Sequence, residues 1–437
     1  MTVIVRRRPT GVALAVVVAL LLAACGATSA PPAPATAVED VRSMLRARAR
    51  LLVDKDVDGY LRPVTGEART LEEAIARGAA AVPLAFVNAT FNPSGRAEPD
   101  ATEFRDAELE LVFGYEGFPK DNRFRFALRY DLELIDGVWT ITASRHEPQP
   151  GVQGVGEAEE GSAAADAEAR FENRLPLPVW ARFPLEATQS EHFLVLHPPG
   201  LAEAAQVVEL AEQARAQLAP RLRFGSADTI QLVVVARDRD EYEAFLEADR
   251  GADSVALVSL IYIPFAPPEG RQMIVNLDRV LGRDERLVGH SGAATSVEIL
   301  QHELAHLALS RVDSLFTPSW VQEGAAMYLA GERRLDEWTD GLADGTFADV
   351  SVTGFGEDTN LSRSADYAYV NAAVSYLVAE FGAERFWDFY VRFQPVVDSV
   401  VSDDSVGNFV VESVYGIDLP ELDRRTREWM AAAVAAA

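Results

Sequence analysis

The sequence predicts an α+β chain in two folded parts. The first is an N-terminal helix with a curved antiparallel sheet, and the second is a small sheet followed by a mostly helical region. Three observations predict it. Residues 80–145 hold four runs rich in aromatic and β-branched residues, VPLAFVNATF, ELELVFGYE, RFRFALRYDLELI and GVWTITASR. Residues 192–279 alternate apolar strand-like runs with helical spacing. From about 291 onward, apolar residues recur at helical spacing to the end.

Composition narrows the function. The chain has 437 residues with 40 Lys plus Arg against 67 Asp plus Glu, a net charge of −27. Such a surface repels phosphate backbones, so nucleic acid is not an expected partner. A single cysteine excludes an intramolecular disulfide, an iron–sulfur cluster and a thiolate zinc site.

The N-terminus explains that cysteine. Arg6, Arg7 and Arg8 precede an apolar run from Gly11 to Ala24, too short for a comfortable membrane span and ended by small residues. This is the pattern of a secretory signal peptide over residues 1–24. Leu22-Ala23-Ala24-Cys25-Gly26 resembles a bacterial lipobox. The resemblance implies a mature chain that starts at an acylated Cys25, held at the outer face of a membrane by its lipid. Residues 25–37, rich in Ala and Pro, read as a tether. Loss of three arginines takes the net charge from −27 to −30.

Residues 38–146 form the first folded part. Val38, Val41, Leu45, Leu51 and Leu52 predict an amphipathic helix or two. Asp54-Lys55-Asp56-Val57-Asp58-Gly59 begins like a calcium loop, but Thr65 stands where the bidentate Glu is required. Asp136-Gly137 marks a tight hairpin between two strands. A leading helix and a sheet ending in Asp136-Gly137, Trp139 and Ile141 resemble nuclear-transport-factor-like domains, which implies a spacer or binding module. Residues 147–170 carry Glu157, Glu159, Glu160, Asp166 and Glu168 with few large apolar residues, and read as an acidic linker. The second folded part is expected over 171–437.

The chemistry lies in that second part. His302-Glu303-Leu304-Ala305-His306 sits in a helical stretch from Val297 to Leu309. Residues four apart share a helix face, so His302 and His306 can present two imidazoles to one ion. Glu303, rotated about 100° from His302, can reach water on that ion without ligating it. Trp320-Val321-Gln322-Glu323-Gly324-Ala325-Ala326-Met327-Tyr328 follows, led by Pro318 and Ser319 as a helix start. The third ligand is open among His290, Asp313, Glu323 and a more distant acid. A longer motif with a third histidine fails, because Val312 and Leu309 occupy the positions where that His and a Gly are needed.

The two motifs together resemble the gluzincin superfamily of zinc metallopeptidases. The resemblance implies Zn²⁺ held by His302, His306 and Glu323, with Glu303 as the general base, acting on a peptide or protein substrate. It also implies a gluzincin-like second domain, with Gly324 letting the Glu323 helix approach the histidine helix. Asp366-Tyr367-Ala368-Tyr369, ahead of VNAAVSYLVAEFG, resembles the later helix of such enzymes, so Tyr367, or alternatively Tyr369, is the expected oxyanion donor. Arg363 is a further candidate for that anion. Met327 stands where thermolysin-like members place an acid behind a zinc histidine, which leaves Glu298 or a backbone carbonyl for that task. Residues 272–279 are the expected substrate edge strand, with Asn276 as a possible contact. The expected function is zinc-dependent peptide-bond hydrolysis outside the cytoplasm. The alternative is an inactive zinc-binding envelope scaffold or peptide-binding module.

Overall fold

The computed structural model describes residues 36–96, 98–146, 177–223, 230–246, 256–263, 266–283, 296–314, 317–355, 363–393 and 403–437. The signal segment, Cys25, nearly all of the tether, the acidic linker and His290 lie outside them.

The first part opens with α1 (Ala37–Val53) and α2 (Val57–Leu61) in the stretch expected to hold a helix or two, and adds a third, α3 (Ala68–Ala81). Thr36 caps α1 by accepting from the Glu39 amide. Val41, Leu45, Arg48 and Leu52 form its buried stripe at helical spacing. Four antiparallel strands follow: β1 (Leu84–Asn92), β2 (Glu103–Tyr115), β3 (Phe124–Ile135) and β4 (Val138–Arg145). Asp136 and Gly137 both take positive φ in the β3–β4 turn, as a tight hairpin requires.

The curved sheet expected here is not found. The strands follow the plain order β1-β2-β3-β4, and the sheet is neither curled nor closed. Closure needs more strands than four. On the β4 edge, residues 63–65 bridge to Ile141 alone, through Ile141 N to Pro63 O at 2.7 Å and Thr65 N to Ile141 O at 3.0 Å.

The second part begins with α4 (Val179–Arg182). It then builds a five-stranded sheet from β5 (Glu186–Gln189), β6 (Phe193–His197), β7 (Gln231–Ala236), β8 (Ala256–Ile263) and β9 (Ala266–Asn276). The strand order is β5-β6-β7-β9-β8. β6, β7 and β9 run parallel, while β5 and β8 pair antiparallel at the two edges. α5 (Ala204–Leu218) and α6 (Arg239–Leu246) fill the crossovers, and the short α7 (Leu277–Val280) follows β9. The C-terminal half is helical: α8 (Ser296–Leu309), α9 (Ser319–Ala330), α10 (Leu335–Ala343), α11 (Arg363–Phe381), α12 (Ala383–Tyr390), α13 (Asp403–Tyr415) and α14 (Leu419–Ala436).

The central strands are apolar on both faces because both are covered. Phe193, Val195, Val233, Val235, Met273 and Val275 point into the core shared with α5, α8, α9 and α11. The alternate residues Leu194, Leu196, Leu232, Val234 and Ile274 point into the core of the first part. Trp180 of α4 joins that second core, stacked edge-on to Phe113 at 5.5 Å and donating to Tyr115 Oη at 3.1 Å. Gly78 of α3 permits this, since a Cβ there would sit 1.8 Å from the Trp180 carbonyl oxygen.

Polar contacts reinforce the junction. The buried Glu269 carboxylate of β9 receives Arg125 of β3 and Arg123 just before it. Asn122 pairs with the Arg271 backbone, accepting from its N–H at 2.9 Å and donating to its carbonyl at 3.3 Å.

Candidate metal centre

α8 carries His302 and His306 one turn apart, with ring centroids 4.8 Å apart. Leu300, Leu304, Ala305 and Leu307 bury the rest of the helix, which sets the face that carries both histidines. α9 starts at Ser319, as its Pro-Ser sequence predicts, and brings Glu323 to the same point. The Nε2 atoms of His302 and His306 are 3.1 Å apart, and Glu323 Oε2 lies 3.2 Å from the first and 3.4 Å from the second. Donors about 2.0–2.1 Å from a tetrahedral zinc lie about 3.3 Å from one another. The three atoms therefore fit one zinc ion, with a fourth position left open. Among the described residues, this is the group of His, Asp and Glu side chains whose donor atoms converge in the manner of a metal site.

Gly324 has a different neighbour from the expected one. A Cβ there would lie 2.4 Å from Val374 Cγ2 and 2.9 Å from the Val370 carbonyl oxygen, so it admits α11 rather than α8.

The side chain behind His302 is also corrected. Its Nδ1 is 2.7 Å from Oε1 of Glu332, whereas Glu298 is exposed on the first turn of α8. An ionised carboxylate only accepts, so His302 Nδ1 carries the hydrogen and Nε2 faces the metal position. Glu332 arrives there by a helix-ending turn. Gly331 adopts φ +79°, its N–H bonds to Tyr328 O at 3.1 Å, and the Glu332 N–H bonds to Met327 O at 3.0 Å. This Schellman pair folds residue 332 back over α9 toward α8. Arg334 then holds Glu332 Oε2 at 3.2 Å. Sequence reasoning missed both residues. Gly331, read as a C-terminal helix stop, is the one signal that could have pointed to them.

The electrostatics follow from burial and proximity. Burial opposes a charged His302, but Glu323 and Glu332 outweigh it and hold the ring well above its ordinary value. His306 is raised too, because Glu323 overcomes the same burial penalty. Glu323 and Glu332 are held below the ordinary carboxylate range, their burial outweighed by the histidines. Glu303 goes the other way: burial raises it, and the two histidines only partly compensate.

Other candidates fall elsewhere. Asp313 lies outside the convergent group. Burial pushes it up to about 6, and it accepts from Gln322 Nε2 at 3.1 and 3.0 Å and from Tyr390 Oη at 3.3 Å. Tyr369 is fully buried and donates to Asp423 Oδ1 at 2.9 Å, so it braces α11 against α14 instead of facing the histidines. Tyr367 is half-buried, packed edge-on to Phe355 at 5.3 Å with the Arg334 guanidinium 5.9 Å from its ring centre, which places it beside the Glu332 support. The Arg363 side chain is outside what the structure describes.

The expected edge strand is corrected as well. β9 is internal: Leu232↔Gln272 through Ala236↔Asn276 pair it to β7, and Ala256↔Val275 through Ser259↔Gln272 pair it to β8. β8 is the outer strand. Asn276 is fully buried, and its Oδ1 caps α7 by accepting from Arg279 N at 3.4 Å. Its backbone lies inside the sheet and its side chain is buried at the start of α7, so it is not on an edge open to a substrate.

No protein-family model matches the chain, and no curated protein matches it. Among solved structures it is weakly similar to an M1 zinc metallopeptidase from Deinococcus radiodurans, at 15% identity and a TM-score of 0.29, over 56% of this chain and 52% of that one. A two-domain M1 zinc metallopeptidase mutant bound to L-tryptophan gives the same values. A mutant of the D. radiodurans enzyme gives 10% identity and a TM-score of 0.31, over 79% of this chain and 93% of that one. The chain spans about half the length of the first two of these proteins.

Proposed function

We propose that the protein is a zinc-dependent peptidase, carried on a lipid anchor at the outer face of a bacterial membrane. One observation supports the chemistry above all others: the convergence of His302 Nε2, His306 Nε2 and Glu323 Oε2 at tetrahedral spacing, with Glu303 next in sequence to the first ligand. When bound, zinc supplies Lewis acidity and a coordinated water that ionises near neutral pH.

The protein's own residues do the rest. Glu332 fixes the His302 tautomer. Glu303, raised by burial, is a stronger base than an exposed glutamate. Its carboxylate takes a proton from water and hands it to the departing amine. Tyr367, beside Arg334, is the phenol proposed to donate to the oxyanion as the carbonyl becomes tetrahedral. Of the two edge strands, β5 and β8, it is β8 that contacts the histidine helix, so β8 is the strand proposed to pair with an extended peptide.

The location rests on the Arg6–Arg8, apolar run and Cys25 pattern. Among the described residues, no helix is long and apolar enough to cross a membrane.

The test is a zinc assay with a paired variant. The chain from residue 26 is expected to bind about one zinc per molecule and to hydrolyse members of a mixed peptide library. Glu303→Gln should keep the zinc and lose hydrolysis by orders of magnitude. Zinc binding without product from any peptide would instead identify an inactive scaffold.

A further inference from the structure

Four large apolar side chains are exposed among the described residues: Leu134, Ile135, Val138 and Phe409. Three of them surround one turn. Leu134 and Ile135 end β3, Val138 begins β4, and only the exposed Asp136 and Gly137 lie between. Val138 is 60% exposed. A β-turn needs Asp-Gly for its backbone but needs no flanking aliphatics in water, so their exposure is not explained by the hairpin itself.

The position of this tip relative to the chain's entry is equally informative. The Ala37 N–H bonds to Pro99 O at 2.9 Å, and the Leu134 N–H bonds to Thr102 O at 2.8 Å. One short loop, 99–102, therefore touches both the start of α1 and the base of the apolar tip. The tether leads into the fold at the end of the first sheet from which the tip projects. Eleven peptide steps separate Cys25 from Thr36. They reach about 40 Å when fully extended and about 20 Å on average for a flexible chain.

We propose that the Leu134-Ile135-Asp136-Gly137-Val138 tip docks into the surface of the phospholipid bilayer that holds the protein. This rests on the reading of Cys25 as an acylated anchor. An acyl anchor within that reach keeps the tip at a high effective concentration next to lipid, so three aliphatic side chains suffice where they would be too weak alone. Charge selects the lipid. Asp136 is at the apex, and Glu133 beside it is paired with Arg105 at 2.6 Å, so the tip brings no spare cation to anionic headgroups. A bilayer dominated by zwitterionic lipid fits it, and a strongly anionic one opposes it. Docking at this point, added to the tether, sets the orientation of the first domain on the membrane, and the packed junction around Glu269 links that orientation to the metal centre.

The single cysteine makes the test direct. Full-length lipidated protein carrying Val138→Cys is reconstituted into phosphatidylethanolamine/phosphatidylcholine vesicles and labelled with an environment-sensitive thiol dye. Glu428→Cys on the exposed face of α14 is the control. The label at 138 should emit to the blue, be quenched by doxyl lipids, and show several-fold weaker iodide quenching than the label at 428. Raising the phosphatidylglycerol content should weaken that protection. Equal iodide quenching at the two positions, with Cys25 shown by mass to be acylated, overturns the docking alone. Protection in native membranes but not in protein-free vesicles assigns the tip to a protein partner and also overturns it. Uptake of dye by the wild-type protein reveals a free Cys25, which removes the anchor and the docking together.

Discussion

Nδ1 of His302 stands 2.7 Å from Oε1 of Glu332, and this bond rather than any contact within α8 fixes the ring that faces the metal position. Glu332→Ala is expected to lower zinc affinity by about 10- to 100-fold. Competition against a chromophoric chelator measures it. An unchanged affinity would show that packing alone orients His302.

Gly331 delivers that glutamate. Its φ is +79°, and a Cβ at this position would lie 2.2 Å from Arg221 Nη1, so Gly331→Ala strains the turn and displaces the guanidinium. The expected cost is about 1–2 kcal/mol of stability. Zinc affinity should fall with it, because Glu332 moves. Denaturant titration together with the chelator assay separates the two effects, and a stability loss with full zinc affinity would uncouple the turn from the site.

The two candidate tyrosines should behave differently. Tyr369→Phe removes a buried bond to Asp423 and should cost about 1 kcal/mol of stability with hydrolysis intact. Tyr367→Phe should lower kcat by about 100-fold with zinc retained, if its hydroxyl meets the oxyanion. Wild-type turnover in the Tyr367 variant would remove it from the chemistry.

The junction between the parts can be probed at Glu269. Glu269→Gln deprives Arg123 and Arg125 of their shared carboxylate and should lower the denaturation midpoint, by about 1.5–3 kcal/mol in stability, with little change in slope. A second, separate transition in the variant would show that this contact holds the two cores to a single unfolding event.

The first part holds a pH-dependent element. Glu72 is fully buried and bonds to Arg48, Tyr60 and Ser144. Burial alone would raise its pKa, but Arg48 and the two hydroxyls lower it below 4.5. A depressed folded value means the stabilisation is present above the unfolded value and is lost as the pH falls through the folded one. Thermal melts should therefore lose stability below about pH 4.5, and Glu72→Gln should flatten part of that acid limb. Glu72→Gln should also cost about 3–5 kcal/mol near neutral pH, because Arg48 stays buried without its counter-charge. An acid limb as steep as the wild type's would place the titration elsewhere.

Local sequence determined the elements that depend on local periodicity. The four-residue spacing of His302 and His306 made them neighbours on any helix. Pro318-Ser319 started the helix of Glu323, and Asp136-Gly137 made the hairpin turn. The apolar runs FLVLH and LVVVA marked two of the strands of the second sheet.

Only the tertiary structure decided what covers those faces, because an apolar run carries no information about its partner. One face meets the helices that carry His302, His306 and Glu323, and the other meets the first part of the chain, with Trp180 set into it. Strand order was equally out of reach: residues 272–279 read as an edge strand, but 272–276 lie inside the sheet between β7 and β8, and 277–279 belong to α7. Four strands in the plain order β1-β2-β3-β4 left the first sheet open. The Glu332 support was invisible for a related reason. A glycine turn sends that side chain backward, and the spacing along a helix says nothing about a residue that comes after its end.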